Sequence, residues 1–225
     1  MARSRSRAAR RGGFLAAVGL DRGSVPSFAD YPFSIPAVVG LDELAVDPRV
    51  TLLVGDNGSG KSTLLEAIAV AAGMNAEGGG RNFRFATRPS ESTLNEHLRL
   101  SWRDRPRTDF FLRAESLYNL ASELERIDEQ PRQDALAPYG GRSLHDQSHG
   151  ESFLALILNR FLPGGLYLLD EPESALSPTG QLAVLQRMHE LVEGGSQFIV
   201  ATHSPILMAF PDALILHASP AGLRP

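Results

Sequence analysis

The stretch Gly55-Asp56-Asn57-Gly58-Ser59-Gly60-Lys61-Ser62-Thr63 lies between an apolar run, Val50–Val54, and a segment, Lys61–Ala72, with helical spacing of Leu64, Leu65, Ile68, Ala69 and Ala72. A buried strand, a glycine-rich turn and a helix in that order make a P-loop. The glycines let the backbone curl so that successive N–H groups face inward, and the helix start adds the positive end of its dipole. Such a cradle takes a nucleoside triphosphate. Lys61 is then placed for the β- and γ-phosphates and the Ser62 hydroxyl for Mg²⁺. The same motif constrains the fold to α/β, with a largely parallel sheet covered by helices.

A second run, Gly165-Leu166-Tyr167-Leu168-Leu169-Asp170-Glu171-Pro172, reads as a strand buried on both faces and ending in two carboxylates. Asp170 is a candidate Mg²⁺ ligand, directly or through water, and Glu171 a candidate to polarise the water that attacks a γ-phosphate. Two acids before a proline also suit a plain turn, but a P-loop elsewhere in the chain favours the catalytic reading. Gln197–Ala201 is a third apolar strand, followed by Thr202-His203-Ser204-Pro205. His203 therefore falls at the end of the strand beside the one carrying Glu171, within reach of a γ-phosphate. Gln147-Ser148-His149-Gly150-Glu151-Ser152 leads into the amphipathic run Phe153–Phe161, and Glu171 follows Ser152 by 19 positions. A Ser-x-Gly turn at a helix start is an anion cradle, and Ser148 is equally suited to be an ordinary N-cap.

The order P-loop, serine-bearing turn, Asp-Glu strand, Glu173-Ser174-Ala175-Leu176-Ser177, then Thr-His-Ser-Pro resembles an ABC-type ATPase head. In detail the chain is similar to a small group of bacterial soluble ATPases classed as AAA family but ABC-like in their motifs. The similarity runs from about Phe14 to about Leu216 and is carried by Gly55–Thr63, Asn75–Phe83, Phe110–Asn119, Ser148–Phe153, Leu168–Ser177 and Ala201–Leu207. It implies a mostly parallel core sheet flanked by helices, an antiparallel edge sheet and a small helical insert at about residues 115–160. It implies ATP and Mg²⁺ as ligands and hydrolysis of ATP as the reaction. It also implies two ATP molecules held between two protomers, with Ser148 of one acting on the γ-phosphate held by Lys61 of the other. Ser174–Ser177 matches the D-loop, which crosses between protomers in such heads.

Glu115 occupies the place of the glutamine that senses Mg²⁺ in related heads, with a solvated helix start as the alternative. Tyr31 and Phe33 are the aromatic candidates for stacking on adenine, and core burial suits both as well. Ser-His-Gly-Glu-Ser stands where transporter ATPases have Leu-Ser-Gly-Gly-Gln. Ser148 and Gly150 match; Gln147, His149 and Glu151 depart. The departure weighs against one alternative, the cytoplasmic ATP-binding subunit of a membrane transporter. A further alternative is an ATP-gated dimerisation module with negligible turnover.

With 225 residues, 43% of them hydrophobic, the chain can bury one substantial core, expected over residues 13–225. The absence of cysteine excludes disulfides and thiolate metal sites. No apolar run approaches the ~20 residues that span a bilayer. Arg10-Arg11 before Phe14–Leu20 faintly resembles a twin-arginine signal, but that run meets Asp21 and Arg22 at once. A cytoplasmic protein is the expectation. Arg3, Arg5, Arg7, Arg10 and Arg11 give residues 1–12 a charge of +5, so the chain's net −4 places −9 on the remainder. That basic start reads as a disordered tail, with contact to nucleic acid or anionic lipid as the alternative. Arg99, Arg103, Arg105 and Arg107 around Trp102 form a second basic group, read as a solvated loop or as a strip facing DNA.

Further strands are expected at Phe14–Leu20, Val38–Leu44, Leu94–Trp102 and Ala213–Leu216, and further helices at Ala114–Ile127, Phe153–Phe161 and Pro178–Val192.

Overall fold

The computed structural model describes residues 13–81, 92–117, 119, 121–122, 147–219 and 221–225. In chain order the principal elements are β1 (Leu15–Leu20), α1 (Pro36–Val39), β2 (Glu43–Ala45), β3 (Val50–Gly55), α2 (Lys61–Ala71), β4 (Leu98–Trp102), β5 (Thr108–Arg113), α3 (His149–Ala155), β6 (Gly165–Asp170), α4 (Pro178–Glu193), β7 (Gln197–Ala201), α5 (Pro205–Met208), β8 (Leu214–Ser219) and β9 (Gly222–Arg224). Six strands form the main sheet in the order β5-β6-β7-β3-β8-β9, and three form a second sheet, β2-β1-β4. The first five strands of the main sheet run parallel and β9 returns antiparallel; the second sheet is antiparallel throughout.

The continuous apolar runs in β3, β5, β6 and β7 have a direct cause. Successive side chains point to opposite faces, and both faces of this sheet are covered. Leu52, Phe110, Leu112, Tyr167, Leu169, Phe198 and Val200 pack on one side with Phe153, Val184 and Met188 of the helices α3 and α4. Leu53, Phe111, Leu166, Leu168, Ile199 and Ala201 pack on the other with Leu64, Leu65 and Ile68 of α2 and with Leu15 and Val18 of β1. The antiparallel sheet and the P-loop helix therefore share one core, as the mixed architecture requires.

Gln197 ties the two sheets together. It is fully buried, and its Oε1 accepts from the Phe14 and Leu15 amides at 2.8 and 2.9 Å. Its Nε2 donates to the carbonyls of Leu15 and Asp47 at 2.9 and 2.8 Å. One side chain thus satisfies four backbone groups at the seam, two of them buried and two partly buried.

Several expected boundaries move. Val38–Leu44 is not one strand: Pro36 sits in the first turn of α1, and only Glu43–Ala45 pairs with β1. The chain folds Leu94–His97 as a 3₁₀ turn, so β4 begins at Leu98. The helix expected from Phe153 starts at His149, where Ser148 caps it, and widens into a π turn at Leu156–Arg160. Ala114–Ser116 is a 3₁₀ turn. Leu117, Asn119, Ala121 and Ser122 beyond it are helical, as expected; the rest of the helix expected to reach Ile127, most of the helical insert and the basic tail lie outside the described residues. Among those described, no helix is long and apolar enough to cross a membrane.

Gln197→Leu should leave buried backbone donors and acceptors unpaired and cost about 3 kcal/mol in urea unfolding. A loss below about 1 kcal/mol would show that the seam is held by apolar packing alone.

Candidate active site

The register of the parallel sheet brings three strand ends level. Leu53 of β3 and Asp170 of β6 both pair with Ala201 of β7, so the segments that follow these strands emerge side by side. Ligands of open α/β sheets bind in this crevice beyond the carboxyl ends of the strands. Here it is a cleft of about 470 Å³ lined by Tyr31, Ile35, Asn57, Gly58, Lys61 and Glu171, together with Gly60, Ser62 and Thr63.

The P-loop closes over the start of α2. Gly60 has φ 90°, and a Cβ there would overlap the Ile35 side chain. Gly55 has φ 145° and passes so close to the Ala218 carbonyl that no side chain fits. Lys61 is 4% exposed, and its Nζ donates to the carbonyls of Gly55 and Asp56, both at 2.9 Å, and to Ser59 Oγ at 3.4 Å. Burial lowers its pKa, while the nearby carboxylates of Glu171, Asp170, Asp56 and Glu173 pull it back up. A cation held on two backbone carbonyls amid four acids is ready to exchange those carbonyls for phosphate oxygens.

Asp170 ends β6 and is 3% exposed. Its Oδ2 lies 3.2 Å from Arg113 Nε in an ion pair without hydrogen-bond geometry, and neither that Nε nor the buried Oδ1 has a hydrogen-bond partner. Burial pushes the carboxyl up to about 6; the Ser62 hydroxyl and Arg113 act to lower it, and Glu171 and Glu115 to raise it. An orphaned carboxylate oxygen beside the Ser62 hydroxyl fits a divalent cation. Among the described residues no three His, Asp or Glu side chains cluster as a metal cage. A Mg²⁺ ion here would thus depend on phosphate oxygens and water for its remaining ligands.

Glu171 has φ 45° and ψ 53°, a left-handed conformation uncommon outside glycine. Its amide donates to the Ala201 carbonyl at 2.9 Å, which anchors the turn. Its carboxylate is 41% exposed and lies 3.6 Å from His203 Nε2. Such strain, of order 1–3 kcal/mol, is retained where surrounding structure fixes it, and here it accompanies an acid lining the cleft.

Glu173 opens the Glu173–Ser177 motif, but the sequence assigned it no role of its own. Its carboxylate accepts from Thr202 Oγ1 at 2.8 Å and from the His203 amide, so it locks the segment after β7 to the turn after β6. The only local signal was a second acid two positions beyond Glu171.

The other expected residues are distributed as follows. Ser148 caps α3 in a capping box: Oγ donates to Glu151 Oε2 at 2.6 Å, and the Glu151 amide returns to Oγ at 3.4 Å. It is exposed and does not line the cleft. A Cβ on Gly150 would lie 2.9 Å from the Ala175 carbonyl, so the start of α3 rests on the turn 172–175. Glu115 does not line the cleft; it is 82% exposed and 3.7 Å from Arg113 Nε. Tyr31 lines the cleft and is 58% exposed, whereas Phe33 is buried and packs edge-on against His97. The second basic group is largely occupied within the chain. Arg99 pairs with Asp21 at 2.6 Å, Arg103 donates to the Leu15 carbonyl at 3.0 Å, and Arg105 lies over the Trp102 ring.

A carboxyl whose pKa is raised on folding stabilises the fold below its unfolded value near 4, and that contribution is lost as pH rises through about 6. Asp170→Asn should therefore raise the metal-free melting temperature at pH 8 and lose that advantage near pH 4. An unchanged or lowered melting temperature at pH 8 would mean that the Arg113 contact outweighs burial.

A family model described as "AAA domain, putative AbiEii toxin, Type IV TA system" matches residues 86–209, and an "AAA domain" model matches residues 37–130. The cytochrome c biogenesis ATP-binding export protein CcmA of Rhodopseudomonas palustris (strain BisB5) is 32% identical over 186 residues, which is 76% of this chain and 86% of that protein. Two other relatives are far longer. The chain spans 12% of the ABC multidrug transporter SNQ2 of Candida glabrata and 24% of the ABC transporter G family member STR2 of Medicago truncatula. Among solved structures, a nucleotide-free ATP-binding cassette from an ABC transporter superposes with a TM-score of 0.56 at 17% identity, over 94% of this chain and 90% of that one. A dimeric ATP-binding cassette in a post-hydrolysis state, bound to ADP and Pi, gives 0.52 at 16% identity, over 94% and 96%. The chain belongs to the AAA-domain family, and its ATP-binding domain is of the ABC ATPase type.

Proposed function

We propose that this chain hydrolyses ATP in a site completed by a second copy of itself. The observation that carries this reading is the placing of Glu171 on a strained turn, 3.6 Å from His203, at the mouth of the cleft that holds Lys61 and Ser62. Lys61 and the amides of residues 58–62 hold the phosphates. Ser62 and Asp170 hold Mg²⁺, which when bound neutralises charge on the β- and γ-phosphates. Glu171 orients the attacking water and accepts its proton. His203, held by Glu173 through its backbone, contacts the γ-phosphate.

Ser148 supports the second copy. It is exposed at a helix start and does not line its own cleft, so a partner's phosphate can reach it by displacing Glu151 from its hydroxyl and amide. An ABC ATP-binding cassette of the same fold is known as a dimer with ADP and Pi, in keeping with this arrangement. ATP touching both copies stabilises the closed pair by linkage, and its loss opens it.

A second reading, an ATP-binding subunit of a membrane transporter, draws on the export-protein name of the CcmA relative and on the exposed Leu158 and Leu162, at 47% and 52%. It requires a membrane partner seated near those leucines, and the divergent signature around Ser148 weighs against it.

Light scattering of Glu171→Gln with and without Mg-ATP separates these readings. The mass should double on adding ATP, and Ser148→Arg in the same chain should abolish the doubling. A monomer that binds ATP tightly would leave Ser148 a helix cap and nothing more.

A further inference from the structure

We propose that Arg113 is a positioning residue that sets the gap between Ser62 and Asp170. The inference rests on the reading of those two side chains as the metal-facing pair. Ser62 and Glu66 are four residues apart in α2 and so share one helix face, a turn apart. Arg113 ends β5, whose last residue pairs in register with Asp170 at the end of β6. Its Nη1 lies 2.7 Å from Glu66 Oε2 and its Nε 3.2 Å from Asp170 Oδ2. One guanidinium therefore joins the P-loop helix to the end of β6.

The strut is buried at its Asp170 end and partly buried elsewhere: the side chains of Arg113, Glu66 and Asp170 are 24%, 16% and 4% exposed. A guanidinium is planar and rigid, so the Nη1 hydrogen bond to Glu66 fixes where Nε stands, in ion-pair contact with Asp170 but without a hydrogen bond to it. A lysine at this place supplies the same charge from a single flexible point and fixes no such position. The bridge also uses only Oδ2 of Asp170 and leaves Oδ1 unpartnered. Arg113 thus orients the carboxylate while sparing the oxygen that a metal needs. Glu115, 3.7 Å from the same Nε, gives the guanidinium an exposed third carboxylate.

Charge compensation alone is the competing explanation, because Arg113 sits among several acids. The conservative variant discriminates. Arg113→Lys keeps the charge and loses the fork; Glu66→Gln keeps Arg113 and weakens the far end of the strut.

The test uses the full chain with a non-hydrolysable ATP analogue. Mn²⁺ affinity is read from the electron paramagnetic resonance signal of the free ion, and analogue affinity is measured separately in EDTA. Arg113→Lys and Glu66→Gln should each weaken Mn²⁺ by about tenfold, the usual effect of losing a group that orients a metal ligand. Analogue affinity in EDTA should stay within about twofold of the parent, and the double variant should be no worse than either single one, since both cut one strut. Wild-type Mn²⁺ affinity in Arg113→Lys would overturn the proposal in favour of charge alone. Equal losses of metal and metal-free analogue binding would overturn it in favour of general packing. Should Arg113→Lys not fold, Glu66→Gln decides by the same criteria. Asp170→Asn is the control for the underlying reading: if it binds Mn²⁺ as the parent does, the metal is not at Asp170 at all.

Discussion

The parallel register of β3, β6 and β7 is the constraint on which the rest depends. A sheet covered on both faces has no exposed surface for chemistry except its ends, and parallel pairing puts all the carboxyl ends on one side. Because Leu53, Asp170 and Ala201 stand in one row, the P-loop, the Asp170-Glu171 pair and the segment carrying His203 leave the sheet together. The cleft is thus a consequence of strand pairing, and its walls are as rigid as the core beneath them. Gln197 extends this rigidity to the antiparallel sheet, at the opposite end of β7 from His203.

Charge is what makes the strand ends costly to assemble. Asp170 and Lys61 are nearly inaccessible to solvent, and each has its pKa moved by burial toward the neutral form. Native proteins tolerate buried charges when these are paired or hydrogen-bonded. Lys61 finds backbone carbonyls and Asp170 finds Arg113, but the carboxylate keeps one oxygen unpaired. Both groups are therefore held in conformations that a Mg-nucleotide would relieve. The strained Glu171 turn, fixed by Ala201 and flanked by the Glu173 clamp on Thr202 and His203, belongs to the same pattern. Local instability is gathered where a ligand can offset it.

The elements that sequence periodicity revealed are those whose signal is local. The P-loop, β6, α4 and β7 each carry their whole pattern within a few turns or one strand, and their bounds fell within a residue or so of expectation. β5 is absent from the expected strands because it opens on polar Thr108 and Asp109, and Asp109 pairs with Arg81, far back in the chain. The break in Val38–Leu44 comes from Pro36 starting a helical turn, a local choice that the apolar pattern conceals. Arg113 and Glu173 were illegible for a different reason. Their meaning lies in partners on other elements, Glu66 and Asp170 for one, Thr202 and His203 for the other, and no spacing along the chain announces those contacts. Ser148 was legible in both its readings, and the fold displays the capping one directly.

The central claim is that the convergence of strand ends makes a hydrolytic site, with Glu171 acting on water. Phosphate release from Mg-ATP, measured for the parent chain and for Glu171→Gln alongside ATP affinity on the same samples, tests it most directly. Turnover should fall by about 10²–10⁴-fold in the variant, the range for loss of a positioned general base, with ATP affinity retained. Equal turnover in the two proteins, or none in the parent despite tight ATP binding, would contradict it.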